Sequence, residues 1–176
     1  MTRRILLGGL MLVAFGSGAR AEDAPAKAPA AATHAGLERI KKLAGTWVEE
    51  GKDGKPTDKV VSVVKVTAGG SAVHETFFPG QPQEMVSVYH RDGADLVMTH
   101  YCVLGNQPRM KADPKAPANQ IKWVFAGGTN LDPAKDTHMH AYRVRFVDGD
   151  RLRGEWELYK DGKSAAKHAF DLVRKK

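Results

Sequence analysis

His138-Met139-His140 is the segment of this chain best placed to do chemistry. On an extended strand, residues i and i+2 share a face, with Cα atoms about 6.6–7 Å apart. Two imidazoles at that spacing can share one divalent metal, with metal–nitrogen distances near about 2.0 Å. They can equally line a wet cavity and orient a small molecule. A metal needs a third donor, for which His100 is the first candidate and His168 the second. If three strands separate His100 from the pair, the gap is roughly 12–14 Å at about 4.8 Å per strand, which imidazoles can just bridge. Cys102, the single cysteine, follows His100 by two residues among apolar neighbours and reads as a buried, unreactive thiol. Arg109 is placed either to receive an anionic ligand group or to point outward at a rim. No nucleophile elbow, Ser-His-Asp order or His-Glu-x-x-His motif is present in the chain. Gly127-Gly128-Thr129 lacks the lysine and the strand-loop-helix setting of a phosphate loop.

The segments that must position these residues differ sharply in composition. Residues 1–21 have the form of a removable export signal. Arg3 and Arg4 precede an apolar stretch over 5–15, and Ala19-Arg20-Ala21 supplies a small-x-small cleavage pattern. The apolar stretch is too short to span a bilayer, and no cysteine follows it to carry a lipid. The expected mature protein is periplasmic or secreted, with no membrane anchor. Loss of Arg3, Arg4 and Arg20 would lower the formal charge from +7 to +4. The charges are scattered, with no basic-aromatic patch of the kind nucleic acid requires. One cysteine excludes an internal disulfide, so packing must hold the fold. Residues 22–33, rich in Ala and Pro, read as a linker, and 34–176 as one domain large enough to bury a core. His34, at the linker's end, is expected to be solvated.

Within that domain a short helix is expected over 34–44, with Leu37, Ile40 and Leu43 on one face and Gly45 as the stop. After Gly45 the apolar period becomes two. Ten strands are expected, at 46–51, 58–67, 71–78, 84–91, 95–103, 108–112, 119–126, 137–147, 151–159 and 164–174. Hairpin pairs such as Asp92-Gly93, Asp148-Gly149 and Asp161-Gly162 separate them. Such a meander removes its edges by closing into an antiparallel up-and-down barrel. Alternate loops then share an end. The longer loops, including 127–136 as a candidate lid, mark the mouth, and the helix plugs the other end. Charged residues must face water, which assigns the inner rows by alternation. His138, His140, Tyr142 and Phe146 face in, as do Trp156, Trp123 with Phe125, and His168 with Phe170. Leu96, Met98, His100 and Cys102 form another inner row, while His74 is ambiguous.

Gly45-Thr46-Trp47, after a short helix and opening the first strand, resembles the Gly-x-Trp signature of lipocalins and the wider calycin group. The resemblance implies that Trp47 packs at the closed end beneath a late basic residue, for which Arg174 is the match. The opening Leu43 to Gly51 is also similar to that of nitrobindin-like haem-binding barrels. That similarity implies a haem ligand late in the last strand, where His168 stands, although Glu49 replaces the expected Gly. Across its length the chain most resembles exported lipocalin-like domains without an assigned activity, which share blocks such as Thr99-His100-Tyr101-Cys102.

The resulting expectation is a barrel that binds a small, largely apolar molecule. Trp123, Phe125, Tyr142, Phe146 and Trp156 would form its wall, and His100, His138 and His140 would orient the ligand. The alternatives are an enzyme using a divalent metal or haem held by these imidazoles, and a packed barrel that serves as a protein-interaction module.

Overall fold

Short runs of alternating polar and apolar residues, broken by Gly, Asp and Asn, bury their apolar rows best when neighbouring runs pair antiparallel and the sheet closes. The computed structural model describes residues 34–176 and has that architecture. The readings of 1–21 as an export signal and 22–33 as a linker lie outside the described residues. Helix α1 (Ala35–Lys41) precedes β1 (Gly45–Glu50) and β2 (Pro56–Thr67). After a single 3-10 turn come β3 (Ala72–Phe77), β4 (Met85–Asp92), β5 (Asp95–Tyr101) and β6 (Gln107–Ala112). The chain ends with β7 (Gln120–Thr129), β8 (His138–Phe146), β9 (Arg151–Lys160) and β10 (Lys163–Arg174). Each strand pairs antiparallel with its neighbours in sequence, and β1 pairs with β10 to close the barrel. The strand boundaries follow the sequence expectation, with one useful difference. Strand β7 runs on to Thr129, so the loop expected to start at 127 starts three residues later and is shorter.

Helix α1 closes one end. His34 is half-buried rather than solvated. Its Nε2 donates to the Ala94 carbonyl at 3.1 Å, so its Nδ1 carries the lone pair that accepts from the Leu37 amide at 3.3 Å. This histidine therefore caps the helix and ties it to the β4–β5 turn. Arg39 donates to the Gln120 carbonyl and lies over the Phe146 ring, 4.6 Å from its centroid. Leu37, Ile40 and Leu43 are buried against the barrel core. Each such side chain contributes roughly 1.5–3 kcal/mol relative to exposure.

The packing implied for Trp47 and Arg174 is present. The Arg174 guanidinium lies 4.4 Å from the Trp47 ring and donates to the Ala44 carbonyl at 2.7 Å and the Lys42 carbonyl at 3.0 Å. Trp47 Nε1 donates to the Leu43 carbonyl at 2.8 Å. One arginine and one tryptophan thus staple the helix exit to the first and last strands.

The interior is filled. Trp47, Trp123, Tyr89, Phe77, Met98 and Met110 are among its largest fully buried side chains. The void between Trp47, Glu75, Tyr89 and Tyr142 measures about 10 Å³, room for one water at most. Gly154 is part of this packing, because a Cβ there would overlap the Phe170 ring.

Candidate ligand-binding site at the barrel mouth

A buried imidazole and a buried carboxyl interrupt the apolar interior, beside smaller hydroxyls such as those of Ser62 and Ser87, and alternation alone located only the imidazole. His100 lies on the inner row, buried, with Nδ1 3.0 Å from Ser87 Oγ. Its ring sits 4.6 Å from Trp156 and 6.2 Å from Phe77, and its Nε2 has no hydrogen-bond partner. Burial holds its pKa down at about 4, so the imidazole is neutral at physiological pH. The second group is Glu75, which the sequence did not single out. It is buried on the inner row of β3 between Val73 and Phe77, and Tyr89 Oη donates to its Oε2 at 2.6 Å. Burial pushes the Glu75 carboxyl above the usual carboxylate range, with the Tyr89 hydroxyl pulling the other way. Only the alternation of β3, with Glu75 between two apolar inner residues, could have flagged it. That signal was blurred because both rows of β3 mix polar and apolar residues.

The aromatic wall is assembled as expected around Trp156. Tyr142 stacks on it at 4.2 Å with an interplanar angle of 17°, and Phe77 meets it edge-on at 5.9 Å. Trp123 packs 5.3 Å from Tyr89 and leaves its Nε1 without a partner. These rings fill the barrel rather than line an open cavity. Phe146 lies at the helix end beneath Arg39, away from the mouth.

His138 and His140 depart from the expected inner row. The register between β8 and β9 slips by one between Met139 and Ala141. A one-residue bulge exchanges the two faces of a strand beyond it. Met139 therefore stands opposite Leu158 and packs against the core, while His138 stands opposite Tyr159. The two histidines form a separate cluster at the mouth. His138 is fully buried, with Nδ1 2.8 Å from the Asp136 carbonyl and Nε2 3.0 Å from His140 Nδ1. A carbonyl only accepts, so His138 Nδ1 carries a hydrogen. In the neutral ring Nε2 then accepts from His140 Nδ1–H, which leaves the lone pair of His140 on its Nε2. The His140 ring stacks on Tyr159 at 3.7 Å and 10°, and on Phe125 at 4.8 Å and 18°. Burial first, and then the neighbouring His138, hold the His140 imidazole below its ordinary pKa, with Glu157 pulling the other way. The result is a half-exposed neutral imidazole, clamped between two rings and oriented from behind.

The expected metal trio does not converge. His138 and His140 spend a nitrogen each on the other, and His100 packs in a different ring cluster. Among the described residues no three His, Cys, Asp or Glu side chains are grouped as a metal requires. His168, the haem candidate, stands opposite Trp156 but is exposed on β10. Arg109 points away from the mouth and is spent on Asp92 at 2.6 Å. A larger depression, about 520 Å³, lies outside the barrel between Pro56 and Lys176 and is lined mainly by charged and polar residues. It holds none of the aromatic or imidazole groups described above. No family model matches the chain, and no curated protein does.

Proposed function

We propose that this protein is an exported, lipocalin-like barrel that binds a small, largely apolar ring compound at its mouth. The observation that carries this reading is His140. Its ring is fixed by Phe125, Tyr159 and His138, and Nε2 is left as an acceptor for one donor on the ligand. A recognition group held by packing and by a supporting hydrogen bond loses little entropy on binding. The filled interior moves the ligand from the barrel centre, where the sequence reading put it, to this aromatic shelf. Export rests on the leader pattern of residues 1–21.

The test compares 2-naphthol with naphthalene by fluorescence titration of the purified protein. Wild type should bind 2-naphthol saturably and more tightly than naphthalene, and His140→Ala should remove the difference. Absence of saturable binding, or equal preference in His140→Ala, overturns the reading. Secreted-fraction protein beginning at Glu22 would support export, and retention of residues 1–21 would count against it. A second reading, a protein-interaction module, draws on Tyr101, Val103 and Leu104, which are 51%, 57% and 47% exposed at the end of β5. Failure of both naphthalene compounds to bind would favour it.

A further inference from the structure

We propose that this protein forms a two-fold dimer by antiparallel pairing of β10 with β10 of a second copy, centred on His168. The barrel closes over three residue pairs alone, Trp47–Arg174, Val48–Val173 and Glu49–Leu172. Over the rest of its length, back to Lys163, β10 has β9 as its one paired neighbour. Strand β1 does not follow it there. The β1–β2 register shifts twice between Trp47 and Glu50, and Arg151 donates to Glu50 Oε1 at 3.0 Å and to the Gly54 carbonyl at 3.4 Å. The turn after β1 is thereby tied to the start of β9 and not laid along β10. Residues 163–165 and 167–169 are exposed, so both faces of this stretch are open to water. An unpaired strand edge is a template on which another strand can add.

The free backbone groups fix the partner and the register. The Arg174 amide donates to the Asp150 carbonyl, on the β9 side, and the Lys175 amide to the Thr46 carbonyl, on the β1 side. Backbone groups alternate between the two sides of a strand, and the β9–β10 ladder is regular from Ala166 to Val173. The N–H and C=O of Lys167 and Ala169 therefore point to the open edge. A two-fold axis at His168 sets Lys167 against the partner's Ala169, and Ala169 against the partner's Lys167. Each copy then satisfies the other's groups, as an isologous contact requires. The side chains agree with this register. Ala166 falls opposite the partner's Phe170, small against large. On the outer face Asp171 lies diagonal to the partner's Lys167, within reach of a long side chain. Asp171 holds Arg153 at 2.7 Å, and Lys167 holds Glu157 at 4.0 Å. The pairing thus joins two ion pairs into one line of alternating charge across the axis. Glu157 in each copy also offsets the repulsion between the two Lys167 ammonium groups.

The experiment is sedimentation equilibrium of the purified protein from micromolar to millimolar concentration, where a reversible monomer–dimer equilibrium is expected. Ala169→Pro removes an N–H that points away from β9, a place where an edge strand accepts proline. The axis repeats the loss, so the dimer dissociation constant should rise at least about tenfold with the circular dichroism unchanged. His168→Cys tests the axis itself. Residues facing each other in a non-hydrogen-bonded pair have Cα atoms about 4.5 Å apart, within the span of a disulfide. Under mild oxidation His168→Cys should cross-link at least about tenfold faster than Ala165→Cys, whose two copies stand about 20 Å apart in this register. Cys102 is buried and common to both variants. A monomer at every concentration, a dimer unmoved by folded Ala169→Pro, which would place the contact elsewhere, or equal cross-linking of the two cysteine variants each overturns the proposal.

Discussion

His138 and His140 show how a single hydrogen-bond acceptor can set the chemistry of two side chains. The Asp136 carbonyl fixes the proton on His138 Nδ1, and that choice passes through His138 Nε2 to His140. His138→Ala should therefore keep the Phe125–His140–Tyr159 stack but free the His140 tautomer. Binding of 2-naphthol should weaken several-fold while naphthalene is unaffected; equal loss for both would mean that His138 only fills space. His100 makes a second residue-scale prediction. Its folded pKa is about 4 against an ordinary 6.5. Between those values the unfolded chain binds more protons, so the His100 contribution is whole above about pH 6.5 and falls as the pH drops toward 4. The full difference amounts to about 3 kcal/mol. Glu75 has a raised pKa and acts in the opposite sense, losing stability as pH rises. The comparison that isolates His100 is therefore urea denaturation of wild type against His100→Leu across pH 4–7. Wild type should lose more stability than the variant on acidification, and parallel curves would refute the assignment.

Among the elements, the bulge in β8 and the glycine in β9 decide the packing. Phe170 on β10 occupies the space where a Gly154 side chain would stand. Gly154→Ala should cost about 1–3 kcal/mol through overpacking, read as a lower urea midpoint at unchanged slope. A neutral result would mean that the Phe170 ring has room to turn away. At the closed end, Arg174→Met removes two charge-assisted hydrogen bonds to carbonyls at the helix exit and the charge over Trp47. A loss of about 2–3 kcal/mol is expected, and Arg174→Lys should recover only part of it, since an ammonium cannot reproduce the planar fork.

The whole barrel behaves as a packed core closed at one end and faced with aromatic and imidazole groups at the other. Phe77 is its keystone, touching His100, Tyr142 and Trp156 edge-on. Phe77→Ala should cost about 3–5 kcal/mol and open an apolar cavity that takes up benzene or xenon. Thermal denaturation with and without benzene checks both parts. A loss below about 1 kcal/mol would show that the interior is loosely filled.

Much of this molecule was legible in the chain. Strand number, strand order and the closed antiparallel barrel followed from alternation and turn chemistry, because most runs had one clearly apolar row to bury and turn residues between them. The inner placement of Leu96, Met98, His100 and Cys102, and the pairing of Trp47 with Arg174, were readable for the same reason and from the Gly-x-Trp resemblance. Tertiary structure decided what alternation cannot express. The slip at His140 arises from pairing between β8 and β9, and one inserted residue reverses the faces that the sequence period assigns. Arg109 turned to Asp92 because a long side chain pairs with a charge that only the folded register brings near. Whether the interior is a cavity or a core depends on how ten strands' side chains interdigitate. That is a sum of volumes across the barrel, which no single strand's sequence contains.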